Sequence, residues 1–159
     1  MIVPIIIETV LLMNITIRKA DERDFPFIFA MMKEFAVFQK TPEKVFITLD
    51  QMIKDKDIFN CLVAEVDNKE IAGFATFFFT YYSWTGKGLY LDDLFVRDIF
   101  RKQSIGKKLL DAVIDLAKKE QCKRVRWLVS GWNTNAIEFY KKMEAVIDST
   151  DINCDLSLK

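Results

Sequence analysis

Histidine is absent from all 159 residues of the chain. This absence excludes Ser-His-Asp and Cys-His catalysis, zinc sites built on histidine, and any imidazole general base. Proton transfer in a reaction run by this chain therefore has to use carboxylates, tyrosine, cysteine, lysine or water. We predict no metal site.

An excess of charge of one sign is also absent, because Lys+Arg and Asp+Glu each number 23. A nucleic-acid-binding protein needs a basic excess to meet phosphates, so the composition argues against that class of protein. The three cysteines (Cys61, Cys122 and Cys154) are odd in number and show no CxxC spacing. They indicate a reduced, cytoplasmic protein better than a disulfide framework.

No apolar run is long enough for a membrane span. Residues 1–13, MIVPIIIETVLLM, are interrupted by Pro4 and Glu8 and lack a basic flank, unlike a membrane helix or a signal peptide. We expect an apolar N-terminal extension over 1–13, packed on the chain's own sheet or on a partner subunit; the alternative is that Met13 is the natural start. Residues 14–159 contain no repeat, linker or low-complexity run, which predicts a single domain.

What the sequence does contain is an alternation of strand and helix patterns. Alternating or β-branched runs predict strands at 14–18, 60–66, 70–81, from 89 onward, 124–130 and 151–158. Apolar stripes with capping residues such as Asp24, Thr48 and Asn133 predict helices over 24–38, 48–56, 104–120 and 134–143. This order predicts an α/β (α+β) fold with a mixed, largely antiparallel sheet and helices on both faces.

The stretch LYLDDLFVRDIFRKQSIGKKLLD, residues 89–111, organises the functional argument. A strand leads through a basic turn into a helix, and the first amides of a helix lack intrahelical partners, which makes an anion site. Asp92 and Asp93 lie in the apolar strand, where burial without partners is costly. Acid on the strand and an anion site after it predict a reaction site beside a phosphorylated cofactor. Because neighbouring side chains of a regular strand face opposite sides, we assign the site to Asp92.

The turn from Arg101 to Gly106 resembles the Q/R-x-x-G-x-G/A loop of the GNAT superfamily of acetyl-CoA-dependent N-acetyltransferases, with Ser104 in place of a glycine. The motifs TYYSW (80–84), YLDDLFV (90–96) and WNTNAIEFY (132–140) are similar to those of the diamine acetyltransferases, of the spermidine/spermine and thialysine types. The likeness covers almost everything from Met13 on. It implies a GNAT-like acyl-CoA N-acyltransferase fold, acetyl-CoA as the acetyl donor, and a homodimer.

The resemblance also implies roles for particular residues. Tyr140 matches the tyrosine that protonates the leaving sulfur, and Asp92 matches the acid assigned to proton removal. Asp93, with Asp92, is a candidate for contact with the amine substrate, and so is Trp84, for which packing is the alternative role. The expected cofactor contacts are Leu94, Phe95 and Val96 for the acetyl and pantetheine arm, Arg101, Lys102, Gln103, Ser104, Ile105, Gly106 and Lys107 for the pyrophosphate, and Asn133, Thr134, Asn135 and Ala136.

The chemistry sets its own requirements. Direct attack on a thioester needs a neutral amine, and an amine of pKa about 10.4 is neutral roughly once in 2,500 molecules at pH 7. Asp92 would therefore act through water, by favouring amine binding, or with a pKa raised by its apolar strand. A phenol of pKa about 10 can protonate a thiolate of pKa about 8.5. A developing oxyanion needs a donor, which a strand irregularity near Leu94 can free.

The substrate expectation follows from one departure. The polyamine-specific relatives carry an acid two positions before the tryptophan, whereas this chain has Tyr82, which favours a shorter amine or an amino acid. We expect an N-acetyltransferase acting on a primary amine of a small molecule, a diamine, polyamine or lysine-like amine. The alternatives are a peptide or protein N-acetyltransferase and a non-catalytic acyl-CoA-binding module; the presence of both Asp92 and Tyr140 argues against the latter.

Overall fold

The computed structural model describes residues 13–68, 70–150, 154 and 156. Its strands are β1 (Ile15–Lys19), β2 (Asn60–Val66), β3 (Glu70–Tyr82), β4 (Gly86–Val96) and β5 (Val125–Arg126). Its helices are α1 (Phe25–Phe38), α2 (Leu49–Lys54), α3 (Ile105–Lys119) and α4 (Thr134–Lys142). The predicted elements are confirmed, except that β5 is shorter than the predicted strand 124–130. The extension over 1–13 and the closing strand over 151–158 fall almost wholly outside the described residues.

The five strands form one sheet in the order β1-β2-β3-β4-β5. Pairs among the first four strands are antiparallel, and β5 runs parallel to β4. The predicted mixed, largely antiparallel sheet is therefore confirmed. The β2–β3 hairpin turns at Asp67 and Asn68, whose φ angles of 52° and 54° are left-handed; these short polar side chains tolerate that conformation.

The sheet has two covered faces, which position the site. On the first, the α1 face, Phe25, Ile28 and Met31 of α1 pack in one core with Phe74 of β3 and Phe95 of β4. The opposite side is the α3 face, where α3 buries its apolar stripe, Ile105, Leu109, Leu110, Val113 and Ala117. Helices on both faces were predicted and are found.

Asp24 differs from its predicted role as the cap of α1. Its side chain makes no capping bond to that helix. Instead the buried carboxylate accepts two hydrogen bonds from Arg18, at 2.7 and 2.8 Å, and one from the Asp21 amide at 2.8 Å. Burial by itself raises the pKa of Asp24, but these bonds outweigh it and hold the pKa below its ordinary value. Pairing across to β1 is stronger than capping because a buried carboxylate needs a charged partner.

The chain divides into two compact units, one ending at Trp127 and the other beginning at Leu128. The first contains the whole sheet with α1, α2 and α3, and the second contains α4. The single domain expected over 14–159 stays a prediction. No helix within the described ranges is long and apolar enough to cross a membrane.

Candidate active site

A β-bulge in β4 creates the site's geometry. Ala75 of β3 pairs with Leu94 and Phe77 pairs with Leu91, so that Thr76 alone opposes both Asp92 and Asp93. Such a bulge adds one residue to one strand and bends it. The strand irregularity expected near Leu94 is present.

The extra residue turns both carboxylates to the same side of the sheet. Phe95 lies on the α1 face, so Asp93, two residues earlier, lies there as well. Before the bulge Tyr90 pairs with Phe78, which alternates with Phe74 onto the same face, and Asp92 follows Tyr90 by two residues. The expectation that the two carboxylates face opposite sides was therefore wrong, because the bulge breaks the alternation between them.

The environment of the pair favours proton acceptance near neutral pH. Burial raises the pKa of the Asp93 carboxyl to about 6, and the neighbouring charge of Asp92 adds to the rise. Burial also raises the pKa of Asp92, although the Asp92 side chain keeps an exposed surface. We give Asp93 the greater weight, since it retains less contact with solvent. A raised pKa was one of three ways in which Asp92 was expected to act; burial does raise the pKa of Asp92, and the pKa of Asp93 is raised as well.

We expect Asp93→Asn to stabilise the protein above pH 6. The folded-state pKa of about 6 exceeds the ordinary 3.8, so this group's stabilising contribution is complete below about pH 4 and is lost as pH rises through 6. Removing the charge should raise the free energy of unfolding at pH 7.5 by about 1–2 kcal/mol, after allowance for solvent screening, and leave it unchanged at pH 4. Urea unfolding at both pH values measures this.

Asp115→Asn is the matched control, because the Asp115 side chain is well exposed in α3. It should change stability little at either pH. A gain in Asp93→Asn that is the same at pH 4 and pH 7.5 would contradict a raised pKa.

Beyond Tyr90 the outer edge of β4 is open. β5 pairs only with Leu89 and Tyr90, and no other strand of the described chain pairs with that edge. The Arg97 amide donates to Ala72 of β3 at 3.0 Å, so by alternation the amides of Leu94 and Val96 face away from β3. The Arg101 side chain donates to the Val96 carbonyl at 3.1 Å.

The three residues predicted to bind the acetyl and pantetheine arm of the cofactor differ in the direction of their backbone groups. The backbone groups of Leu94 and Val96 lie along the open edge, as a cofactor arm requires. The backbone of Phe95 faces β3, since its carbonyl oxygen lies 2.5 Å from where a Cβ on Gly73 would be. This close approach also explains why residue 73 is a glycine.

The N-terminus of α3 is uncapped by side chains. Ser104 occupies the N-cap position without a side-chain capping bond, and no acidic residue lies in the first turn. The amides of Ile105, Gly106 and Lys107 therefore have no intrahelical acceptors. The dipole of a helix of 15 residues has its positive end at these amides, and a positive helix end with unbonded amides suits a diphosphate.

Gly106 adds a test of fit to a phosphorylated cofactor. A Cβ placed there would meet only Cγ2 of Val96, at the ordinary contact distance of 3.8 Å. The chain's own packing thus does not require glycine, although glycine in a helix costs about 1 kcal/mol relative to alanine. The bare backbone suits the close approach of a ligand to the amides.

Ser104 departs from the glycine of the family loop at a measurable cost. Its φ of 62° is left-handed, a conformation that costs a non-glycine residue about 1–2 kcal/mol. We expect Ser104→Gly to raise the free energy of unfolding by up to about 1 kcal/mol, once the entropy of glycine is subtracted. Ser104→Ala, which keeps the strain, should be neutral. Thermal unfolding of both variants checks this, and a lower Tm for Ser104→Gly would contradict it.

The predicted residues of the second unit lie in and beside α4. The Asn133 side chain accepts a hydrogen bond from the Ala136 amide at 3.2 Å, which confirms the predicted cap. The side-chain oxygen of Asn133 and the amide of Ala136 are thus bonded to each other. Thr134 and Asn135 are exposed in the first turn. Tyr140 is buried, and burial raises the pKa of its phenol. The phenol therefore stays protonated at neutral pH, as a proton donor must.

The structure does not bring Trp84 to the carboxylates. Trp84 is 97% exposed in the turn between β3 and β4. From Gly86 to Asp92 the strand runs roughly 20 Å. Sequence reasoning missed the aromatic pair that does lie beside Asp92 on the α1 face, Phe78 and Tyr90, stacked at 5.0 Å. The aromatic-rich run FATFFFTYY, residues 74–82, was the available signal, and Phe78 in it is exposed.

Two of the solved structures that share this fold are aminoglycoside acetyltransferases. An aminoglycoside N-acetyltransferase in complex with CoA superposes with a TM-score of 0.74 at 17% identity, covering 92% of this chain and 97% of that chain. An aminoglycoside acetyltransferase from an uncultured soil metagenomic sample, in complex with sisomicin, gives 0.75 at 20% identity, covering 91% and 97%. These likenesses establish the fold.

The sequence identifies the family. The profile of the acetyltransferase (GNAT) family matches residues 16–144. The chain belongs to this family and is an acetyltransferase, which confirms the family and the enzyme class predicted from the loop and the three motifs. Thialysine N-epsilon-acetyltransferase of Sus scrofa is 32% identical over 143 residues, 83% of this chain and 84% of that protein. L-ornithine N5-acetyltransferase of Arabidopsis thaliana is 40% identical over 100 residues, 62% and 44% of the two chains.

Proposed function

We propose that the protein transfers the acetyl group of acetyl-CoA to a primary amine of a small, lysine-like molecule by direct attack. One observation carries the proposal: the β4 bulge turns Asp92 and Asp93 to the same face just before Leu94, whose backbone lies along the open outer edge of the strand. An uncapped helix N-terminus follows within the same strand-turn-helix unit. Carboxylates for an ammonium and amides for a diphosphate are what the reaction needs.

In this mechanism Asp92 and Asp93 attract the ammonium, and Asp93 receives its proton. A pKa of about 6 leaves a gap of about 4 units to the amine, a cost of about 6 kcal/mol instead of about 9 for an ordinary aspartate. The Leu94 amide donates to the oxyanion as the amine attacks the carbonyl carbon. When the C–S bond breaks, the departing thiolate takes the proton of Tyr140, the role that the resemblance implies for this residue, and the second proton of the attacking nitrogen, lost as the amide forms, restores the phenol. The raised pKa of Tyr140 keeps its proton in place beforehand.

The charges around the aromatic pair favour an amine that carries a carboxylate. Burial and the negative charge of Asp92 raise the pKa of Tyr90, while the positive charge of Arg126 lowers it. The carboxylate of Asp92 and the guanidinium of Arg126 therefore both lie close enough to act on the Tyr90 ring. Arg126 pairs directly with Tyr90 across β4 and β5. The guanidinium carbon of Arg124, two residues before Arg126, lies 5.1 Å from the centre of the Tyr82 ring. A second ammonium would meet cations here, whereas the carboxylate of an amino acid would be attracted.

The names of the relatives point the same way. Thialysine and L-ornithine, the acceptors named for the Sus scrofa and Arabidopsis proteins, are amino acids with a terminal side-chain amine. Tyr82, which replaces the acid of the polyamine-specific relatives, supports this narrower choice.

The direct test is CoA release measured with matched amines. L-Ornithine and 1,4-diaminobutane carry the same amine and differ by one carboxylate, as do L-lysine and 1,5-diaminopentane. We expect kcat/KM to be at least about tenfold higher for each amino acid, since a charge-assisted contact contributes about 1.5–3 kcal/mol. Equal or inverted values would contradict the lysine-like substrate and favour a diamine or polyamine.

Two other outcomes would replace the proposal. Turnover confined to peptide amines would make the protein a peptide N-acetyltransferase. Tight acetyl-CoA binding without turnover of any amine would make it an acyl-CoA-binding module.

The state of the protein in the cell belongs to the same proposal. We propose a cytoplasmic homodimer: all three cysteines are free thiols, which suits a reducing compartment, and the resemblance to the diamine acetyltransferases implies two subunits. Light scattering of the purified protein should give twice the monomer mass of 18.6 kDa. A single monomeric species would contradict it.

A further inference from the structure

Thr76 stands at the point where the bulge forms, and none of the reaction steps above uses it. It is one of two buried polar or charged side chains in the described residues, at 6% exposure. Its hydroxyl oxygen accepts a hydrogen bond from the Asp93 amide at 3.1 Å. On its other side Thr76 pairs with the buried Cys61 of β2.

The Asp93 amide needs this acceptor. By alternation with Arg97, whose amide donates to a β3 carbonyl, the Asp93 amide also faces β3. The bulge removes it from the regular ladder, and an unpaired amide in the interior is costly. The Thr76 hydroxyl replaces the missing carbonyl, so one side chain satisfies the amide that the extra residue displaces.

The consequences extend in both directions along β4. Upstream, the clamped bulge holds both carboxylates on the α1 face. Downstream, the shift of one residue turns the Leu94 amide away from β3 toward the open edge. Without the bulge, alternation continued from Tyr90 would put Asp93 on the opposite face and the Leu94 amide into the ladder with β3.

We propose that Thr76 is a positioning residue for the acetyl transfer: its hydroxyl fixes the bulge that aims the Asp93 carboxylate and the Leu94 amide. The inference rests on the proposed function for its catalytic consequence, but the clamp itself is a property of the fold. Thr76 touches no reacting atom and acts through Asp93 and Leu94.

Thr76→Val and Thr76→Ser separate the hydroxyl from the methyl group. Valine keeps the shape and removes the acceptor, whereas serine keeps the acceptor and removes a methyl group. We expect kcat to fall at least about tenfold in Thr76→Val and to stay within about twofold in Thr76→Ser. Thr76→Ala serves as the hydroxyl-free variant if valine does not fold. Equal losses in the serine and hydroxyl-free variants, or full activity in both, would overturn the proposal.

The pH profile distinguishes positioning from a smaller folded fraction. Two titratable groups of the described residues face Asp93. One is Asp92 on its own strand, and the other is Cys61 of β2, whose buried thiol has a raised pKa and stays neutral. On α1 the carboxylate of Glu34 accepts a hydrogen bond from Arg97. In Thr76→Val the acid limb of kcat/KM should move from about 6 toward the ordinary value near 4. An unmoved limb in an active variant would overturn the proposal, since a loss of folded enzyme lowers the whole profile without shifting it.

A measurement without turnover keeps this proposal separate from the proposed function. Hydrogen exchange of the Asp93 amide, followed by NMR, should be faster in Thr76→Val than in the wild type and Thr76→Ser. If the wild type acetylates no amine, the proposed function fails, while faster exchange at Asp93 still supports the clamp. Unchanged exchange would overturn the clamp whether or not the enzyme is active.

Discussion

Tyr140→Phe is expected to lower kcat about a hundredfold while leaving the Kd for acetyl-CoA within about threefold, because it removes the proton donor for the departing thiolate and keeps the aromatic ring. Tyr140 is buried, and its raised pKa keeps the phenol protonated. Without that proton the departing group is a free thiolate, and the reverse collapse to thioester competes with product formation. Steady-state kinetics with the best amine and calorimetric titration of acetyl-CoA measure the two quantities.

Tyr81→Phe is the matched control, because Tyr81 is 81% exposed in β3. It should leave kcat and Kd unchanged. Unchanged turnover in Tyr140→Phe would remove Tyr140 from the mechanism, and a parallel loss of acetyl-CoA affinity would reassign it to binding.

Gly106→Ala is expected to act on stability and on binding in opposite directions. Alanine is favoured over glycine in a helix by about 1 kcal/mol, and its Cβ would meet only Val96, so Tm should rise. The same Cβ would keep a diphosphate from the first-turn amides. Loss of one or two charge-assisted bonds, at about 1.5 kcal/mol each, raises the Kd for acetyl-CoA at least about tenfold.

The rise in Tm is the internal control, since a stabilised protein cannot lose affinity by unfolding. Thermal unfolding without ligand and calorimetric titration give both values on one sample. Unchanged affinity in a folded Gly106→Ala variant would mean that the diphosphate is not held at this turn.

The local patterns of the sequence were sufficient for most of the fold. The stripe of α3, the Thr48 cap of α2 and the Asn133 cap of α4 each depend on residues within a few positions of one another, and so they were predicted. Even the close approach at Gly73 could be anticipated, because an isolated glycine in a strand implies a neighbour that a Cβ would strike.

What sequence reasoning missed depends on partners distant in the chain. Asp24 has a good capping side chain, but its carboxylate instead accepts two hydrogen bonds from Arg18 on β1. The facing of Asp92 and Asp93 depends on Thr76, 17 residues from Asp93, which accepts the displaced amide. A pair of acids in an apolar strand signals irregularity, yet only strand register shows which residue is the extra one. Trp84 looked like a contact residue because its motif resembles the family's, and strand length places it far from Asp92.

The family, unlike the facing of the site residues, depends on motifs that are local in the sequence. The loop beginning at Arg101 matched the family pattern despite Ser104, and the match to residues 16–144 bears it out. The roles proposed for Tyr140 and Gly106 are each tested by the variant described above.

The most direct test of the account is a crystal structure with bound acetyl-CoA. The account predicts the diphosphate against the amides of Ile105, Gly106 and Lys107, with the thioester beside Leu94 on the edge that β5 leaves open. The acetyl carbonyl oxygen should accept a hydrogen bond from the Leu94 amide, with Asp93 on the side from which the amine arrives. A cofactor bound away from the start of α3, or a thioester remote from the bulge, would contradict it.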